Sequence, residues 1–115
     1  MESRRLLTAV IMTPHEQLLL ELVNRARSNP SAEAALYGIN LNEGLTAGTI
    51  TTTPKQPLAP NQILMDASAA HSADMIANDY FNHTNLNGES PSDRVLAAGY
   101  PVGAAENISY GGSTG

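Results

Sequence analysis

Apolar residues recur at helical spacing in three stretches, and each stretch is bounded by capping and breaking residues. In the first, Leu18, Leu19, Leu22, Val23 and Ala26 form one stripe. Thr13-Pro14-His15-Glu16 precedes it, a cap, a first-turn proline and a box-closing acid. Arg25 and Arg27 fall in the last turn, where cations suit the helix dipole. The pattern predicts a helix over 14–28. Asn29-Pro30 ends it and caps a short second helix, 30–37, stopped by Gly38. The longest helix is predicted over 62–79, capped by Asn61, with Ile63, Leu64, Ala67, Ala70, His71 and Met75 on one face. Ser90-Pro91-Ser92-Asp93 opens a further helix over 91–98, with Val95, Leu96 and Ala98 apolar and Gly99 as the stop.

Between these runs the periodicity is lost. Residues 39–60 hold Gly44, Gly48, Pro54, Pro57, Pro60 and three consecutive threonines, Thr51 to Thr53. So long an irregular loop is uncommon in a compact domain. It reads either as a mobile functional loop or as an extended arm lying over the domain, with room for a short strand at 49–53. The segment Ala104–Tyr110 has the composition of a strand, and residues 111–115 read as flexible. No internal repeat is visible.

The chain has 115 residues, 42% of them hydrophobic, which allows at most one domain with a modest core. With no Trp and one Phe, that core is built from aliphatic side chains. There is no Cys, so disulfides, thiolate metal sites and cysteine nucleophiles are all excluded. The net charge of −5 is uneven. Beyond residue 55 the acids Asp66, Asp74, Asp79, Glu89, Asp93 and Glu106 face a single base, Arg94. That half repels phosphate backbones, which argues against nucleic-acid binding. The run Leu6 to Met12 resembles the start of a signal peptide, but it is very short and no small-x-small site follows. Residues 1–13 therefore read as a surface lead-in. No stretch is long enough to span a membrane.

Candidate chemistry centres on the stretch after the long helix. His83 stands where the helical pattern stops, ahead of the turn Asn87-Gly88, and Glu106 opens the strand-like run. Asn85-Leu86-Asn87-Gly88 looks like part of a calcium loop. Aligning its glycine puts His83 and Arg94 at the first and last ligand positions, which do not suit a hard, oxygen-bound cation. Asn82-His83-Thr84 and Asn107-Ile108-Ser109 match the glycosylation sequon by spacing alone. His71, on an apolar helix face, reads as a hydrogen-bonded core histidine, with Asp74 as a partner three residues on, and His15 as a solvated first-turn residue. Spacing does not decide whether His83 and Glu106 meet.

Several short motifs occur in order: His71-Ser72-x-Asp74-Met75, Tyr80-Phe81-x-His83-Thr84-Asn85, Asn87-Gly88-x-Ser90-Pro91-x-Asp93-Arg94, Ala98-Gly99-Tyr100 and Glu106-Asn107-Ile108-x-x-Gly111. This run resembles the bacterial branch of the CAP superfamily, which joins cysteine-rich secretory proteins, antigen 5 and pathogenesis-related 1 proteins. The likeness covers roughly residues 14–115. It implies an α+β fold, an α-β-α sandwich, with a cavity lined by two His and two Glu. His83 matches the first of those His and Glu106 the first Glu. The other His, the other Glu and most of the sheet belong to the family's second half, so the resemblance implies the N-terminal part of a domain, mainly helical with one or two short strands. Ala105 stands where the family usually has Gly.

What the resemblance implies about function is an extracellular or cell-surface binding module. A divalent cation, zinc above all, is expected at His83 and Glu106, and an unknown extracellular ligand such as a lipid or cell-wall component as partner. Neutral imidazole and carboxylate are good zinc ligands. Two alternatives follow: a metal-dependent, peptidase-like hydrolase, which needs more ligands than these two, and a fragment without independent activity.

Overall fold

The computed structural model describes residues 10–111 and divides into two compact units, Met1–Pro60 and Asn61–Gly115. Residues 1–9 of the lead-in expected over 1–13, and residues 112–115 of the flexible end expected over 111–115, lie outside the described residues.

The first unit holds α1 (Pro14–Ser28) and α2 (Pro30–Leu36), packed against each other. The capping box forms as the sequence predicts: Thr13 Oγ1 accepts from the Glu16 amide at 3.1 Å, and Glu16 Oε1 accepts from the Thr13 amide at 2.9 Å. Each such cap stabilises its helix by about 1 kcal/mol. Arg25 and Glu33 form a bidentate pair that ties α1 to α2, with donor–acceptor distances of 2.9 and 2.8 Å.

The 39–60 segment is irregular, with turns at 41–44 and 47–48 and with residues 55–58 held against α1. Asn24 on α1 grips it like a strand neighbour: its side chain donates to the Leu58 carbonyl at 2.9 Å and accepts from the Leu58 amide at 2.7 Å. Arg27 Nε donates to the Gln56 carbonyl, and the Lys55 amide to the Arg27 carbonyl. Asn42 closes an inner loop by bonding both the amide and the carbonyl of Ile50. No strand forms at 49–53, where Asn42 takes the Ile50 amide and carbonyl that a ladder would have used.

The second unit holds α3 (Gln62–Ala77) and α4 (Pro91–Ala97), also in mutual contact. The helix α3 is two residues shorter than predicted. Asn78 is its C-cap, and Asp79 takes a left-handed conformation with φ 52°. The Tyr80 amide then donates to the Met75 carbonyl at 3.1 Å, the long-range bond of a Schellman ending. The same ending closes α4, where Gly99 has φ 101° and the Tyr100 amide reaches the Val95 carbonyl. Glycine fills that position freely, whereas an aspartate there accepts steric cost.

The strand expected over Ala104–Tyr110 is not present: the described residues contain no strand. The segment runs extended, but its start is fixed by a side chain instead of a ladder. Ser92 Oγ donates to the Ala104 carbonyl and accepts from the Ala104 amide at 3.3 and 3.2 Å. Gly103 permits this approach, since a Cβ there would lie 2.7 Å from Ser92 Oγ. The structure is thus mainly helical, and an α-β-α sandwich is not seen among the described residues.

Candidate functional site

Three elements of the second unit converge on Glu106. The helix α3 supplies His71, whose side chain is 1% exposed. Its Nε2 donates to the Asn82 carbonyl at 2.8 Å. That bond fixes the turn immediately before His83. It also corrects the expected pairing of His71 with Asp74. Asp74 instead accepts from the Tyr80 hydroxyl and from the Asn78 amide group, because the Schellman ending folds Tyr80 and Asn78 back over it. The Asp74 carboxyl is held below its ordinary value, chiefly by the Tyr80 hydrogen bond. Tyr80 is pushed up to about 12, by burial first and by Asp74 second.

The turn carries His83 to Glu106. His83 Nδ1 lies 2.9 Å from Glu106 Oε1. A carboxylate only accepts, so Nδ1 bears the proton of this bond, and Nε2 is the ring nitrogen that the bond does not use. Spacing left this meeting undecided; the structure makes it a direct hydrogen bond. Asn85 braces the turn from the other side by accepting from the Asn87 and Glu89 amides.

Arg94 on α4 completes the cluster. Nη1 donates to Glu106 Oε2 at 3.1 Å, and Nη2 reaches Oε1 and Oε2 at 3.2 and 3.1 Å. Nη2 also donates to the His83 carbonyl at 2.6 Å. Arg94 and Glu106 are 12% and 13% exposed, whereas His83 is 52% exposed. Burial pushes the Glu106 carboxyl up, but hydrogen bonds from Arg94 and His83 outweigh it and leave the group below its ordinary value.

Arg94 is not among the site residues expected from the sequence. The available signal was its isolation: it is the one base among six acids after residue 55. A lone cation on the helix between His83 and Glu106 is well placed to bind a carboxylate.

A shared, enclosed cavity is not seen among the described residues. Glu106 lines a depression of about 150 Å³ with Leu64, Arg94 and Val95, and His83 is not part of its wall. Among the described residues no group of three or more His, Asp or Glu side chains is placed to hold a metal. His83 and Glu106 also do not fit a metal as two direct ligands, because Arg94 donates to both Glu106 oxygens and puts a fixed cation where the metal charge would go. In its neutral form His83 offers a metal Nε2 alone, with Glu106 orienting the ring through Nδ1.

The geometry defines a mainly helical chain with an imidazole–carboxylate–guanidinium cluster between a long helix and a short one. The family model of the cysteine-rich secretory protein (CAP) family matches residues 20–115. The chain belongs to that family. No curated protein and no solved structure gave a match. No helix among the described residues is long and apolar enough to cross a membrane.

Proposed function

We propose that the protein is an extracellular SCP-like binding module, residues 14–115 being the N-terminal part of its domain, and that the His83–Glu106–Arg94 cluster is its polar recognition site. The observation behind this reading is the clamped state of Glu106. A general base needs a free carboxylate lone pair of raised basicity. Glu106 instead receives three hydrogen bonds from Arg94 and one from His83, and its basicity is lowered. That arrangement is rigid and suited to presenting a surface imidazole, and it argues against the hydrolase alternative.

A divalent cation belongs to the same proposal in a limited form. His83 offers one imidazole nitrogen, and Glu106 holds the ring from behind. The further His and Glu that the family resemblance implies are not supplied by the described residues. Binding through one protein ligand is weak and gains from ligands brought by a partner or by a lipid or cell-wall molecule. When bound, the ion would supply a positive point charge for an anionic group of such a partner.

Calorimetric titration of the full chain with zinc tests this reading. Weak binding lost in His83→Ala and kept in His71→Ala is expected. Unchanged zinc binding in His83→Ala would overturn the metal assignment.

A further inference from the structure

A second cavity in the same unit lies beside the end of α3, and the His83–Glu106 cluster does not use it. It measures about 580 Å³ and is walled by Met75, Asp79, Tyr80, Phe81 and Tyr110, among others. We propose that this cavity binds an organic ammonium cation, its charge held against Asp79 and its alkyl groups against the aromatic rings.

Four features converge on that chemistry. First, the wall carries three aromatic rings. Phe81 and Tyr110 meet edge-to-face with centroids 5.8 Å apart at 60°. Their exposures are 49% and 87%, so both are accessible to a solute. Ring faces attract alkylammonium groups, which give up their weak hydration readily. Tyr80, whose hydroxyl is bonded to Asp74, presents a neutral ring.

Second, Asp79 brings a carboxylate that makes no hydrogen bond or ion pair with another described residue, unlike Asp74, Asp93 and Glu106. It sits at the left-handed position that α4 fills with glycine. Third, the cavity is at the C-terminal end of a 16-residue helix, where the aligned peptide dipoles favour positive charge. Fourth, no basic residue lines it, and the single base of the unit, Arg94, is committed to Glu106. The surrounding field of six acids draws cations toward the opening.

This proposal does not depend on the reading of His83 and Glu106. Its test uses choline as the probe, titrated into the full chain and followed by the NMR signals of the Met75 methyl and the Phe81 and Tyr110 rings. The neutral isostere 3,3-dimethylbutan-1-ol is the control for shape. Saturable shifts with choline are expected, with binding about tenfold weaker for the isostere. Asp79→Asn keeps a side chain that tolerates the left-handed backbone, and Tyr110→Ala alters a side chain almost wholly in solvent, so both variants should fold. Each is expected to weaken choline binding several-fold, and Asp79→Asn should also reduce its salt dependence. Equal affinity for choline and the isostere, absence of saturable shifts, or undiminished choline binding in both variants would overturn the proposal.

Discussion

Arg94 holds Glu106 by both carboxylate oxygens and with the same guanidinium donates to the carbonyl of His83. One side chain therefore sets both the position of the acid and the path of the turn carrying the imidazole. Because both partners are largely buried, removing the cation leaves a carboxylate without its counter-charge. Arg94→Ala should lower stability by about 2 kcal/mol, between the values for exposed and fully buried pairs. His83→Ala removes a half-exposed partner and should cost about 1 kcal/mol or less. Urea denaturation of the two variants measures the difference; equal losses would mean that Arg94 does not anchor the site.

Acid should weaken the second unit through the same contacts. The Glu106 and Asp74 carboxyls both lie below their ordinary values of 4.5 and 3.8. A group whose folded value is depressed stabilises the fold above its unfolded value and loses that contribution as pH falls through the folded value. Stability should be flat above about pH 5 and decline below about pH 4.5. Glu106→Gln should flatten part of that decline. An unaltered pH profile in this variant would show that Glu106 is not a source of the acid sensitivity.

His71 is expected to act through structure. Its ring is buried and its Nε2 bond to the Asn82 carbonyl fixes the turn before His83. His71→Ala leaves a cavity and a carbonyl without its donor, a loss of about 2 kcal/mol. Thermal unfolding checks the size of the effect, and a neutral substitution would contradict the anchoring role.

The left-handed residue at the end of α3 gives a prediction of opposite sign. Asp79→Gly relieves the backbone of a side chain at φ 52° and should raise stability by roughly 1 kcal/mol. A destabilised variant would show that the carboxylate contributes to folding.

What could be read from the sequence was what is local. Thr13 with Glu16, Asn29, Asn61, and Ser90 with Asp93 fix helix starts through bonds three residues long, so the four helices begin where the pattern places them. The Asn24–Leu58 clamp and the Ser92–Ala104 contact span 34 and 12 residues and leave no periodic trace. The first fixes the end of the 39–60 segment on α1, and the second stands where strand-like composition suggested a ladder at 104–110. The site shows the same division. His83 and Glu106 came from an ordered run of motifs, which carries the family but no distances. Arg94 was visible only as an isolated charge, and the partner of His71 was misjudged because Asp74, at helical spacing, is captured by Tyr80 and Asn78 after the chain reverses.

The central claim is that His83 is presented with Nδ1 bound to Glu106 and Nε2 open to ligands. Nitrogen-15 NMR of the histidine rings, with zinc titrated into the full chain, tests it most directly. A proton on His83 Nδ1 is expected, with zinc shifting the Nε2 signal of His83 and leaving His71 unchanged. A proton on His83 Nε2 with Nδ1 unprotonated, or a zinc response at His71 and none at His83, would contradict it.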